Sequence, residues 1–338
     1  MGSPTLPRLP VLISQGAGDG RPGRHEPAIR EAAGRRFAPD ILYARNLEQL
    51  LDALDREILA ATPVVAIGGG DGTIHHAVNR IGDAPVTLAA LPLGTGNDFC
   101  RSLGLAPGLE PALRALAAGT TRAIDVLEVL GRRVLTVAGL GVVSRSALQV
   151  GRWARPGRRS RPLVRVLGPY AYLGAAGARL LFEPRLARRA AVRWRVSPGA
   201  DWQQADGRYY GIFLAVRPTL GAGLQLPLHV EPDDGRFEIV LVEKRPRVSV
   251  AVCLPRLLSG ARVPDNLLSI HHAAEADIDW DGGSALVGDG EDLGEAAACR
   301  ARLLPRALTV VAGDGWADPP AAGYGGVRSE PGARISDT

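Results

Sequence analysis

The sequence predicts an α/β protein in two lobes, an N-terminal α/β lobe and a β-rich second lobe, on three observations. Short apolar runs rich in β-branched residues at 11–14, 64–67 and 86–91 each end in a glycine-rich turn, and the first two turns lead into helical stretches. Beyond residue 124 the texture changes to short strand-like pieces separated by Gly and Pro. The length, 338 residues, exceeds the usual single domain and suits two.

Val11 to Ser14 reads as a buried strand that turns through Gln15-Gly16-Ala17-Gly18-Asp19-Gly20 into a helix over Pro27 to Gly34. Leu47, Leu50, Leu51 and Leu54 recur at helical spacing and place one apolar face on a helix from Leu47 to Ala60. Val64 to Ile67 is a strand that runs through Gly68-Gly69-Gly70-Asp71-Gly72-Thr73 into a helix from Ile74 to Ile81. Val86 to Leu91, the next strand, meets Pro92-Leu93-Gly94-Thr95-Gly96-Asn97-Asp98. Repeated strand-loop-helix units imply a parallel sheet with helices on both faces. In the second lobe, Asp125 to Val129, Val134 to Ala138, Arg208 to Val216 and Phe237 to Val242 read as strands. The chain therefore divides into an α/β lobe at 8–124, a β-rich lobe at 125–300 with an Arg-rich insert at 151–195, a return segment at 301–318, and a Pro-, Gly- and charge-rich tail at 319–338 expected to be disordered.

No apolar run is long enough to span a bilayer, and the first residues lack the apolar core of a signal peptide. Leu6 stands where a myristoylation signal wants Ser or Thr. Cys100, Cys253 and Cys299 lie far apart without paired spacing, which argues against a disulfide framework and a structural zinc site and for a reducing cytoplasm. The net charge is +5, carried almost wholly by arginine with Lys244 the lone lysine, and it favours an anionic partner.

A glycine loop between a buried strand and a helix N-terminus turns backbone N–H groups and the helix dipole toward one concavity, where phosphate is the natural guest. Gly68, Gly69, Gly70 and Gly72 would let the backbone approach an anion, Asp71 could reach a magnesium ion, and Thr73 could cap the helix or bond a phosphate oxygen. A tight structural turn fits the same residues. The second loop, with Gly94, Thr95, Asn97 and Asp98, also ends a strand, on the rim where open α/β sheets bind ligands. Two such loops on one edge are less accidental than one. Asp289-Gly290-Glu291 reads by itself as an acidic hairpin turn.

Gly69-Gly70-Asp71-Gly72-Thr73, Pro92 to Phe99, Asp125, Asp233-Asp234-Gly235 and Gly288-Asp289-Gly290-Glu291 follow in an order and spacing that resembles the diacylglycerol kinase-like lipid kinases, which include bacterial lipid kinases and the sphingosine and ceramide kinases. The resemblance covers roughly residues 10 to 312. It implies a nucleotide-binding α/β lobe related to phosphofructokinase and NAD kinases, a β-sandwich second lobe, and a cleft between them in which ATP and Mg²⁺ serve transfer to a lipid hydroxyl. Gly68 to Thr73 would then cradle the ATP phosphates, Thr95 would contact the nucleotide, and Asp71 and Asp98 would lie near the catalytic Mg²⁺. Asp289 or Glu291 would take the hydroxyl proton. Asp234, with the carbonyls of Glu231 and Arg236, matches a structural Mg²⁺ position of bacterial relatives. Dimers are common in such enzymes, so a homodimer is an implied partner.

Three departures from the family pattern stand out. His75-His76 replaces Asn-Glu after the first loop, and the residues alone read as an exposed helical pair, since adjacent helix positions do not face one point. Only the Ala17-Gly18 end of the usual first loop is kept, and Ala44 stands where relatives place a nucleotide-contacting Thr. Within 151–195 twelve arginines face one acid, Glu183; Arg152, Arg155, Arg158, Arg159, Arg161 and Arg165, with Trp153 and Leu163 among them, suit either a solvated basic loop or docking on an anionic membrane. Nucleic acid fits less well, because no nucleic-acid motif accompanies the charge. The expectation is thus a cytoplasmic, peripherally membrane-associated lipid kinase for a substrate such as diacylglycerol or a sphingoid base. An NAD kinase-like small-molecule kinase and a non-catalytic lipid- or nucleotide-binding relative are the alternatives.

Overall fold

The computed structural model describes residues 6–17, 20–154, 159–221, 224–228, 230, 233–264 and 266–313. The first lobe runs β1 (Arg8–Ser14), α1 (Glu26–Ala33), β2 (Ala38–Ala44), α2 (Leu47–Leu59), β3 (Val64–Gly69), α3 (Asp71–Ile81), β4 (Thr87–Pro92), α4 (Asp98–Ser102) and α5 (Glu110–Ala118). The strands lie parallel in the order β2-β1-β3-β4. Because Ile13 stands beside Gly68 and Gly69 beside Pro92, the carboxyl ends of β1, β3 and β4 share one rim. Helices α1 and α5 pack together, as do α2 and α3, and Leu9, Ile13, Ile29, Leu50, Leu54 and Ile67 are fully buried in the core they enclose. Helix α2 starts where the sequence places it because the Asn46 side chain accepts the Gln49 N–H at 2.8 Å.

The remaining elements are β5 (Thr121–Val129), β6 (Arg132–Val134), β7 (Val137–Gly141), α6 (Val142–Ala154), α7 (Arg161–Leu167), α8 (Pro169–Phe182), β8 (Arg188–Arg195), β9 (Gln203–Ala215), β10 (Thr219–Gly221), β11 (Leu224–Gln225), β12 (Phe237–Glu243), α9 (Arg247–Leu257), β13 (Leu268–Ala273), β14 (Glu275–Gly288) and β15 (Glu291–Val311). Strands β9 and β14 each pair with both β7 and β8, which folds the sheet on itself. Its inner faces bury Trp194, Leu214, Ile278 and Trp280. The 21-residue β15 pairs antiparallel with β14 and β5, then ends parallel to β4 through Val310 and Leu88. One strand therefore stitches the two lobes together, and the divisions placed at residues 124 and 300 fall inside β5 and β15.

Two features depart from the sequence expectation. Val134 to Ala138 is not one strand: it breaks at Leu135-Thr136, whose N–H groups leave the ladder for a side chain described below. The Arg-rich insert is largely helical, with α6, α7 and α8 capping the sheet next to α9. Helix α8 hid from periodicity because Pro-Tyr-Ala-Tyr-Leu-Gly-Ala-Ala-Gly-Ala-Arg-Leu-Leu-Phe is apolar around most of its circumference. The tail at 319–338 lies outside the described residues, and no described helix is long and apolar enough to cross a membrane.

At the lobe junction Asp125 is completely buried, and its carboxylate accepts the N–H groups of Gly235 and Arg306, both at 2.7 Å. Beside it Arg217, 1% exposed, donates to the carbonyls of Asp125 and Leu135 and lies 5.5 Å from the Phe99 ring. Burial pushes this guanidinium down to about 10, against the opposing pull of the Asp289 and Asp125 charges, so it stays cationic at neutral pH. Asp125→Ala would strand two buried donors and remove a countercharge. We expect a loss of about 3 kcal/mol or more in unfolding free energy by urea denaturation; an unchanged midpoint would show that Asp125 does not hold the junction.

Candidate active site

The two glycine loops meet at the shared rim. A Cβ on Gly94 would lie 2.4 Å from the Gly70 Cα, so the backbones touch at a distance only glycine permits. The second loop is held from within: Asn97, at φ 54°, accepts the Gly94 N–H and donates to the Gly94 carbonyl, each at 2.8 Å. The Asn97 amide thereby shapes the loop. Gly70 begins α3, and Thr73 makes no capping bond but packs on Gly69. The first N–H groups of α3 have no intrahelical acceptor and open onto the rim. Asp71 stands at the first position of this helix and accepts the Phe99 N–H at 3.2 Å, tying one loop to the other. Ala44 is fully buried at the end of β2, so that position offers no side chain to a ligand, and Gly18 lies outside the described residues.

The acidic trio is both a hairpin turn and part of the site. Asp289 and Gly290, at φ 52° and 84°, form the two-residue tip of the β14–β15 hairpin between the paired Gly288 and Glu291. That left-handed conformation turns the Asp289 carboxylate to four donors. Oδ1 accepts the Thr136 N–H and Thr136 hydroxyl at 2.8 Å, Leu135 N–H reaches both oxygens at 2.9 and 3.0 Å, and His75 Nδ1 lies 2.8 Å from Oδ2. His75 is therefore not an exposed helical histidine: it is 2% exposed on the inner face of α3 and bonded across the lobes. Asn79 Nδ2, 3.4 Å from Nε2, suits a neutral ring whose Nδ1 carries the proton. No residue spacing announces this pair, which are 214 positions apart. His76 is half-buried rather than exposed, with Nε2 3.8 Å from Glu291 Oε2, and burial lowers its affinity for a proton. Glu291 overhangs the start of α3, since a Cβ on Gly72 would lie 2.4 Å from its Oε1.

Asp71, Asp98 and Asp289 line one small void of about 30 Å³, wide enough for a water-sized occupant. Burial pushes the Asp71 carboxyl up to about 6; the Asp98 charge adds to this, the Phe99 N–H opposes it, and the Asp289 charge adds again. Among the described residues no three ligand-type side chains converge as a metal cage. Mg²⁺ does not need one, because it is usually held by one or two carboxylates with phosphate oxygens and water. Asp71 and Asp98, mutually repelling beside such a void, fit that ion. Asp234 has a local part, accepting the Arg236 N–H at 3.0 Å within the turn that Asp125 pins, and its expected partner Glu231 lies outside the described residues.

From this acidic end a cavity of about 380 Å³ runs beneath the helical cap. Thr95, Gly96, Asp71, Asp98 and Asp289 line one end, and apolar side chains such as Val142, Ala176, Leu180, Phe213 and Leu254 line the rest. Tyr172 also lines it, its phenol pushed up by burial and then by the Asp98 and Asp71 charges. Ser146, 4% exposed, contributes a hydroxyl with no partner among the described residues. The strand pattern alone showed neither this cavity nor Arg217, because both arise where distant segments pack.

Residues 9–129 match the family described as the diacylglycerol kinase catalytic domain, and residues 184–312 match the YegS C-terminal NAD kinase beta sandwich-like domain. A Pseudomonas fluorescens protein named "Probable lipid kinase YegS-like" is 32% identical over 297 residues, covering 86% of this chain and 92% of the relative. A Staphylococcus aureus protein named diacylglycerol kinase is 27% identical over 183 residues, covering 54% of this chain and 53% of the relative. The matched stretch likewise spans 57% of the length of a Staphylococcus haemolyticus relative. A crystal structure of a Bacillus anthracis diacylglycerol kinase shares the fold, with a TM-score of 0.69 at 16% identity over 93% of this chain and 100% of that one.

The raised Asp71 sets a test of sign. Its native value of about 6 lies above the ordinary 3.8, so the native state keeps this proton longer than the unfolded chain. The resulting destabilisation grows as pH rises through that interval and is complete above it. Asp71→Asn should raise the melting temperature at pH 8 clearly more than at pH 4.5, measured without nucleotide or divalent cation; an equal or opposite shift would contradict the assigned repulsion.

Proposed function

The chain belongs to the diacylglycerol kinase-like lipid kinase family, and from that premise we propose that it transfers the γ-phosphate of ATP, with Mg²⁺, to a hydroxyl of a lipid such as diacylglycerol or a sphingoid base. One observation carries the reading: the apolar cavity ends on Asp71, Asp98 and Asp289 at the rim where the two glycine loops meet. A lipid whose chains fill the cavity presents its hydroxyl to the carboxylates. A nucleotide on the rim presents its phosphates to the α3 N-terminus, where the orphan N–H groups and the helix dipole favour anions.

Asp71 and Asp98 would hold Mg²⁺, which neutralises charge on the phosphates as transfer proceeds. Thr95 and Gly96, at the mouth of the cavity, border the place where donor and acceptor meet. Of the two candidate bases only Asp289 lines the cavity, whereas Glu291 overhangs Gly72 and suits a role beside the nucleotide. All four acceptor positions of Asp289 are occupied. Taking a proton thus requires one donor to yield, and the Thr136 hydroxyl is the one that rotates from donor to acceptor. The acceptor oxygen bonds to the γ-phosphorus, the bond to the bridging oxygen of ADP breaks, and the hydroxyl proton passes to Asp289. His75 keeps the carboxylate aimed throughout. The family's general chemistry needs positioning and charge neutralisation rather than a lysine, in keeping with a chain whose lone lysine is Lys244.

Incubation with γ-labelled ATP, Mg²⁺ and a lipid extract should place label in a chloroform-soluble product. Label on NAD, or nucleotide binding without transfer, would favour the small-molecule kinase or the non-catalytic relative. Asp289→Asn should lower kcat by about 100-fold or more while nucleotide binding persists, the range expected for loss of a general base. Glu291→Gln should act mainly on KM for ATP. Full turnover in the Asp289 variant would remove the proposed base.

A further inference from the structure

The helical cap carries an apolar face of its own. Leu163, Val166, Tyr170 and Phe182, on α7 and α8, are 60, 84, 70 and 81% exposed. Scattered exposed apolar residues are ordinary, but several of them on two adjoining helices mark a binding surface. A groove of about 720 Å³, lined mostly by α6, α7 and α8, opens beside them. Val164 lines both this groove and the acceptor cavity, so the outer face and the place where the lipid chains would lie are continuous through α7. Arginine adjoins the groove lining, Arg152 next to Trp153 and Arg159 next to Ser160 in the chain. Arg152 and Arg159 are exposed, and the lone acid of the insert, Glu183, is paired with Arg145 and Arg179.

We infer that this face seats the protein on an anionic lipid bilayer, with Val166, Tyr170 and Phe182 entering the interface, the arginines meeting the headgroups, and the acceptor lipid passing by Val164 into the cavity. The inference deepens the lipid kinase reading and rests on it for the identity of the cavity's guest. Insertion of apolar side chains and attraction of basic ones to anionic headgroups act together at such surfaces. The charge also selects among occupants. A second copy seated symmetrically on the same face would bring arginine against arginine, whereas an anionic bilayer supplies the missing charge. Arg152 and Arg159, which with Trp153 and Leu163 suited either a solvated loop or a docking element, are in this account a collar beside an apolar wedge.

The test is sedimentation of the full-length protein with vesicles of phosphatidylglycerol and phosphatidylcholine, without ATP, for the wild type and the Val166→Ser, Phe182→Ser double variant. Neither side chain lines the acceptor cavity. The wild type should bind, weaken with salt, and keep a salt-resistant remainder. The double variant should partition about tenfold less well, a loss of two partly inserted side chains, and should phosphorylate a short-chain, freely dissolved diacylglycerol at the wild-type rate. Equal partitioning of both proteins, or no binding by the wild type, would overturn the docking surface. So would a dimer that the double substitution converts to monomer in size-exclusion chromatography, which would make the face a self-association surface. A tenfold partitioning difference with no phosphorylation of the dissolved lipid by either protein would leave the surface standing and remove the kinase reading.

Discussion

Four donors from two separate segments of the chain close on the Asp289 carboxylate: the His75 ring on α3, and the Leu135 and Thr136 amides and Thr136 hydroxyl at the break between β6 and β7. A carboxylate only 3% exposed is costly to bury without such partners, so it dictates where its neighbours go. It interrupts a strand to recruit two backbone N–H groups. It fixes the tip of the β14–β15 hairpin in a left-handed turn, and β15 then runs on to pair with β4. The same contacts that dock the second lobe on α3 therefore deliver a carboxylate to the end of the apolar cavity.

Charge at the site is concentrated beyond what stability alone would choose. Asp71, Asp98 and Asp289 share a small void, and Asp71 resists ionisation because of burial and its neighbours. Beneath them the buried Arg217 keeps its proton although burial opposes it, held by the charges of Asp289 and Asp125. Such an arrangement is costly in the free protein and would be relieved by a cation bound between the carboxylates, the usual relation between a polar active site and its stability. Conformational freedom is removed in parallel: Gly70 touches Gly94, Asn97 locks its own loop, and Asp71 ties the loops through Phe99. The rim is rigid before any ligand arrives.

The strand-loop-helix units of the first lobe were legible because each segment declares itself locally, by β-branched runs, a period of 3.6 and glycine punctuation. The glycine loops at the strand ends followed from the same signals. Asp289 was legible only as a turn or as a match to a family motif, and it is a turn whose geometry brings the carboxylate to the cavity. His75 was misread because adjacency on a helix says which faces two side chains occupy but not which face is buried. Ile74, Ala77 and Val78 bury the same turns of α3, and His75 goes inward with them, whereas His76 does not. Thr136 and Arg217 carried no pattern at all.

The two halves of the site are written differently in the chain. The rim is assembled from segments a few residues long, Gly68 to Thr73 and Gly94 to Asp98, whose close approach rests on backbone and glycine. The cavity is walled largely by α6, α8, α9 and β9, elements spread from Val142 to Leu257 that contribute mostly apolar bulk. Its shape depends on the volumes of many side chains, and volume-conserving apolar exchange is what packed walls tolerate best. Exchange in such a wall alters the cavity by one methyl group at a time while the rim, held by backbone contact, stays as it is, and the Ser146 hydroxyl, which has no partner among the described residues, adds a polar mark to the wall.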